Sequence, residues 1–242
     1  MLVAFLLGLS VGSFLNVLID RLPRGESVIW GRSHCDHCNK KLRWYELIPV
    51  LSYIFQSGRC LRCRKRLSFQ YPAVELATGF GFVFLFQAFD YSLIRLFAYS
   101  IIFCSLLVIF VADIKYRIIP DAMVIAGVIG AIVGIPGIGE HVLAGMGASL
   151  FFYLLWLLGR GKTMGFGDVK LAFLLGLLLG FPYIVIALYG AFLTGAAAGV
   201  ILILVRKKTL KSAIPFGPFL VGGALAVFIW GNAILRWWKL FL

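Results

Sequence analysis

Apolar residues run through this chain in blocks about as long as a membrane is thick, separated by short polar stretches. A helix that crosses a bilayer needs about 20 consecutive apolar residues. Such blocks occupy roughly 1–19, 72–89, 93–112, 118–136, 142–158, 168–182, 183–205 and 217–235. The pattern predicts an all-α polytopic membrane protein with about eight transmembrane helices. The sixth and seventh blocks form one continuous apolar run, divided at Phe181-Pro182 because proline interrupts the helical hydrogen-bond ladder. The first block has no basic stretch before it and no small-residue cleavage site, and its charge follows it in "DRLPRG". It is therefore expected to stay as a helix rather than serve as a signal peptide.

One polar region, about 20–70, is long enough to fold separately. The expected organisation is a first transmembrane helix at 1–19, a cytoplasmic loop domain at 20–70 and a transmembrane core at 71–242. No sequence repeat or low-complexity tract is evident. Gly130 with Gly134, and Gly195 with Gly199, place small residues at helical spacing, which lets helices approach closely. "GIPGIG" at 134–139 lacks the lysine of a phosphate loop and reads as a turn.

Composition agrees with the pattern: 62% of the 242 residues are hydrophobic, with a mean hydropathy of +0.99. The formal net charge is +13, but its distribution argues against nucleic-acid binding. Eleven of the 23 Lys and Arg lie between Arg21 and Arg66; the others include Lys115, Arg117, Arg160, Lys162, Arg206, Lys207, Lys208 and Lys211 in short loops. Loops around Asp90 to Ser92 and Gly137 to His141 are nearly free of basic charge. Cytoplasmic loops are enriched in Lys and Arg, so the basic loops are expected inside and the N-terminus outside. Arg236 and Lys239 fit this topology less well, since eight spans leave them outside.

"CDHC" at 35–38 and "CLRC" at 60–63 form two Cys-x-x-Cys knuckles. Four thiolates spaced this way suit tetrahedral zinc, and a reducing cytoplasm disfavours the alternative of two disulfides. Cys35, Cys38, Cys60 and Cys63 are the expected ligands of a structural zinc, closed to chemistry because no coordination position is open. His34 and His37 are expected to face solvent, and Cys104 to pack within an apolar helix.

A carboxylate within the bilayer costs roughly 2.5–3.5 kcal/mol on insertion scales, so each one needs an explanation. Glu75, Asp113, Asp121 and Asp168 are the candidates. Asp113 follows the third block in "VADIKYRIIPD" and Asp168 opens the sixth in "MGFGDVK", 55 positions later. By the topology above both lie at cytoplasmic helix ends, at one membrane depth, and can meet. Paired carboxylates that share a proton can activate water and protonate a leaving amine, as peptide hydrolysis requires. Gly165 and Gly167 are expected to free the backbone beside Asp168 and admit a substrate strand. The plainer alternative makes Asp168 a helix N-cap and Asp113 an interfacial charge. Asp121 reads as a first-turn carboxylate, and Glu75 is left open between function, snorkelling and pairing with a basic loop residue.

These residues resemble the type IV prepilin peptidases, members of the GxGD aspartic proteases that also include presenilin and signal peptide peptidase. "GSFLNVLIDRLPRG" (12–25), the cysteine knuckles, "FQYPAVELATG" (69–79), "MGFGDVKLA" (164–172) and "IPFGPFL" (214–220) look like blocks of that family in order. The departure is Asp20, where many members have tyrosine. The resemblance implies a bifunctional enzyme of the bacterial inner membrane, with Asp113 and Asp168 as the catalytic pair and the four cysteines as metal ligands. It implies cleavage of the basic leader of prepilins or pseudopilins after a glycine on the cytoplasmic side. It also implies N-methylation of the new terminus with S-adenosylmethionine, although no glycine fingerprint for that donor appears. Substrate helices are expected to enter sideways through membrane lipid, with the dyad's charge and Glu26 and Glu46 offsetting some of the loop's repulsion of a basic leader. The competing readings are a presenilin-like protease that cuts within the span, a proton or cation transporter using the same aspartates, and a scaffold that docks a partner on the zinc loop.

Overall fold

A computed structural model describes residues 1–35, 37–89, 92–161, 164–205 and 214–240. Lys162, Arg206, Lys207, Lys208, Lys211 and Asp90, together with the side chain of Lys239, lie outside the described residues. Among the described residues the regular structure is helical. The helices are α1 (Leu2–Arg21), α2 (Leu51–Phe55), α3 (Gln70–Phe89), α4 (Leu93–Tyr116), α5 (Asp121–Gly134), α6 (Gly139–Leu158), α7 (Phe166–Leu179), α8 (Tyr183–Leu204) and α9 (Gly217–Leu240).

Each of the eight apolar blocks forms a helix, but not all are of one kind. Among the described residues six are long and apolar enough to cross a membrane: α1, α3, α4, α6, α8 and α9. The fourth and sixth blocks give helices of only 14 residues, α5 and α7. At 1.5 Å per residue these reach about 21 Å, short of a hydrocarbon core about 30 Å thick. Turn residues at their ends explain the shortening: Pro120 precedes α5, and Gly180 takes a left-handed φ of 68° after α7, two residues before Pro182.

The chain divides into two compact units, Met1–Val108 and Ile109–Leu242. In the first, α1 lies against α3 so closely that a Cβ on Gly8 would sit 2.7 Å from the Thr78 carbonyl oxygen. A Cβ on Gly12 would sit 2.7 Å from the Glu75 Cα. Asn16 ties the same pair together, donating to the Tyr71 carbonyl at 3.1 Å and accepting from Gln70 Nε2 at 3.3 Å. Away from this seam, Leu6, Phe80 and Phe84 are exposed, as side chains facing lipid would be.

In the second unit α7 is the core. Ten of its 14 residues are buried, from Asp168 through Leu179, and a helix that is apolar all round needs neighbours on every side. Gly176 meets the backbone of Gly145 on α6, and Gly127 of α5 receives Leu174. The glycine spacing read from the sequence is thus used for packing: Gly130 and Gly134 are buried, and Gly195 lies against Phe216 and Phe219. "GIPGIG" is the turn between α5 and α6.

Candidate functional site

Asp113 does not follow its helix but lies in the last turn of α4, which continues to Tyr116. There Arg117 takes a left-handed φ of 56° and turns the chain toward Ile119. A carboxylate in the last turn faces the negative end of its own helix dipole. The N-terminus of α9 compensates, because the Gly217 N–H donates to Asp113 Oδ2 at 2.9 Å. Any side chain at 217 would collide with the carboxylate, since a Cβ there would lie 2.7 Å from Oδ2.

Asp168 is not the N-cap expected as its plain role. Gly165 caps α7, without a side-chain cap hydrogen bond, and Asp168 is the third helical residue. Its carboxylate interacts with the Gly165 backbone and with the charge of Asp113. The two aspartates, 55 positions apart, are thus brought within electrostatic range, and both are buried, at 6% and 7% exposure.

The two glycines beside Asp168 have different surroundings. Neither has a left-handed φ. Gly167 is inside α7, where a Cβ would sit 2.9 Å from the Cβ of Ile119, so its bare backbone seats the "DIKYRIIPD" segment against the helix. Gly165 is exposed, and an added Cβ there would meet only Asp168 Oδ2 and the Gly167 nitrogen, both at 3.9 Å. Asp121 stands apart from the buried pair: it is exposed in the first turn of α5 and bonds Lys170 at 2.7 Å. Gly217 and Ile119 were both visible in the motifs, but no local pattern assigns them a role. A glycine before proline at the start of an apolar run does mark a helix N-terminus, where free N–H groups collect.

The four knuckle cysteines also converge. Their sulfurs all lie within 4.8 Å of one another, with Cys35 to Cys63 at 3.9 Å and Cys38 to Cys60 at 4.0 Å. Zinc bonded tetrahedrally at about 2.3 Å needs sulfurs about 3.8 Å apart, so the cluster fits the ion. The knuckles are built alike. Cys35 N–H bonds the Lys40 carbonyl and Leu42 N–H the Ser33 carbonyl; Cys60 N–H bonds Lys65 and Leu67 N–H bonds Gly58 in the same way. Asn39 and Arg64 hold equivalent left-handed positions at φ 53° and 57°. The sequence therefore does contain a short repeat, "CDHCNKKL" and "CLRCRKRL", too brief to stand out without its shared backbone.

Backbone N–H groups of Cys63 and Arg62 aim at the Cys60 sulfur and hold its thiol below the ordinary range, whereas burial pushes Cys35 up. His34 and His37 are exposed, and Cys104 is half-buried in α4. Glu46 is buried and already paired, accepting from Lys40 at 2.8 Å and from the Arg43 N–H at 2.8 Å. Glu75 resolves as a buried acceptor, taking the Val50 N–H at 2.7 Å.

Comparison with known proteins adds identity to this geometry. The bacterial Peptidase A24 N-terminal domain matches residues 6–89, and the type IV leader peptidase family matches 100–203. The chain is 33% identical over 242 residues to a prepilin leader peptidase/N-methyltransferase of Bacillus subtilis (strain 168), covering 98% of this chain and 96% of that protein. Proteins of the same name from Legionella pneumophila and Pseudomonas putida are 32% and 34% identical, covering 98% and 96% of this chain and 93% and 91% of their own lengths. No solved structure matches. With relatives this similar over nearly the whole length, the chain belongs to the type IV leader peptidase family.

Proposed function

We propose that this protein removes the basic leader of prepilins or pseudopilins after a glycine, at the cytoplasmic face of a bacterial inner membrane, and then N-methylates the new terminus. The observation that carries the peptidase half is that Asp113 and Asp168, both buried and each within a turn of a helix end, lie within electrostatic range of one another. Two adjoining carboxylates hold one proton between them. The ionised member takes a proton from water, whose oxygen attacks the scissile carbonyl carbon. The protonated member gives its proton to the departing nitrogen as the tetrahedral carbon collapses. The Gly217 N–H bond fixes one Asp113 oxygen and so limits which oxygen faces the water.

A pilin leader is basic and precedes a long apolar helix, which would place its scissile bond at the bilayer rim. The positions of both aspartates within a turn of a helix end support that reading. Zinc on Cys35, Cys38, Cys60 and Cys63 would lock the two knuckles together and perform no chemistry. S-adenosylmethionine would supply the methyl group, as the relatives' names imply.

Co-expression with a prepilin tests the reading. Wild type is expected to yield cut, methylated pilin by mass spectrometry, and Asp113→Ala or Asp168→Ala to leave it uncut. Normal cutting by either variant would remove that residue from the chemistry.

A further inference from the structure

The loop between α1 and α3 exposes more apolar surface than a water-facing segment normally does. Ile29, Trp30, Trp44, Leu51, Ile54 and Phe55 are all exposed, Phe55 at 84%. Hydrogen bonds fix where most of these side chains stand. Arg21, the last residue of α1, donates to the carbonyls of Ser27, Trp30, Gly31 and Arg32, which wraps Ile29 and Trp30 round the end of that span. Farther along, the Val50 N–H donates to Glu75 at 2.7 Å, and Glu75 is the sixth residue of α3. At 1.5 Å per residue this bond lies about 8 Å along a helix long and apolar enough to cross a membrane. The short helix α2 therefore starts beside the second turn of a span, not above it.

Its residues divide by face. Leu51, Ile54 and Phe55, at helical spacing, share one side and are exposed; Ser52, Tyr53 and the following Gln56 line the cavity between the loop and the α1–α3 pair. Tyr53 also packs on Gly58, where a Cβ would sit 2.9 Å from the Tyr53 hydroxyl oxygen, so the second knuckle begins against α2. That knuckle carries Arg59, Arg62, Arg64, Lys65 and Arg66, all exposed. From Leu22 to Phe69 there are ten Lys and Arg against three Asp and Glu. Four thiolates on a zinc ion would remove two of those positive charges and leave the loop basic.

We propose that α2 and the segment 27–32 lie in the membrane interface, with Phe55, Ile54 and Trp30 among the lipid chains and the basic second knuckle on anionic phospholipid headgroups. Continuity favours lipid as the occupant: α1 ends and α3 begins at one rim, and the Glu75 bond carries the apolar face of α2 below that rim. Composition favours it too, since segments that sit about 5–10 Å into the interface pair an apolar, aromatic face with Lys and Arg. The cysteine knuckles then ride on the bilayer surface instead of standing in the aqueous phase.

Photo-crosslinking of the full-length protein tests this. The photoreactive p-benzoylphenylalanine replaces Phe55 or, as a span position facing lipid, Phe84, in nanodiscs of equal phosphatidylcholine and phosphatidylglycerol, and mass spectrometry identifies the adducts. Ile54, exposed on the same face of α2, serves as a second loop position. The loop positions are expected to capture phospholipid as readily as Phe84 does. They should favour phosphatidylglycerol about fivefold, the preference that one nearby cation confers, while Phe84 shows none. Lipid adducts at Phe84 but at neither Phe55 nor Ile54 would overturn the docking. Capture of a second copy of the chain, or of an added prepilin, in place of lipid would overturn it in favour of that protein. Equal capture of the two lipids at the loop positions would overturn the role of the anionic headgroups.

Discussion

The cysteine cluster and the aspartate pair each gather like residues from distant positions, but by opposite means. Cys35 and Cys38, and Cys60 and Cys63, are set by two tight backbone knuckles that carry the same hydrogen bonds. Asp113 and Asp168 have no such local frame. They come within electrostatic range with α7 buried among its neighbours, Gly167 seating Ile119, and Gly217 at the start of α9 reaching Asp113. A site fixed by short-range backbone is legible from spacing and tolerant of distant change. One fixed by helix packing depends on residues that carry no chemistry.

The largest expected effect falls on the carboxylates themselves. Asp113→Ala or Asp168→Ala should lower leader removal by about 10³-fold or more, since acid–base groups contribute about 10²–10⁴-fold each, as timed by conversion of a prepilin in membranes. Cys35→Ser with Cys60→Ser should abolish zinc binding, read by metal analysis, yet lower cleavage far less than loss of either aspartate. Equal losses would mean that the two sites are not separable in this way.

Packing residues come next. Gly167→Ala places a Cβ 2.9 Å from that of Ile119. Overpacking of this kind costs about 1–3 kcal/mol, and a displaced Asp168 should slow cleavage about tenfold. Adding Ile119→Gly, which removes that Cβ, should restore much of the rate; a double variant as slow as the single would mean that the contact does not position Asp168.

The smallest effect concerns Glu46. Burial raises its pKa, but the Lys40 ammonium and the Arg43 N–H outweigh that and hold it below its ordinary 4.5. A lowered folded value stabilises above the unfolded one, so the contribution is whole above pH about 4.5 and is lost as acid passes the lowered value. Limited proteolysis of the loop should show wild type loosening on acidification. Glu46→Gln, already lacking the charge, should change less with pH.

The same division explains what the sequence could show. Eight apolar blocks locate eight helices, because burial in lipid writes itself into composition. Length was less legible: 118–136 and 168–182 became 14-residue helices because Pro120 and Gly180 end them, and apolar loop residues look the same as helical ones. The four-cysteine cluster was legible from two knuckles, while its repeated backbone was not, resting on Asn39 and Arg64, residues of different type in one conformation. Glu46 and Glu75 were visible only as charges. Their partners, Lys40 with Arg43 and the Val50 N–H, depend on how the loop folds. Gly217 was legible as a helix start, but that it faces Asp113, 104 positions earlier, is a fact of tertiary packing.

The central claim is that Asp113 and Asp168 act as one unit. A mutant cycle of Asp113→Asn, Asp168→Asn and the double variant, scored by single-turnover leader removal, measures this directly. Residues that share one proton lose their function together, so the double variant should be no slower than the slower single. A double variant whose loss multiplies the two single losses would show independent roles and contradict the pair.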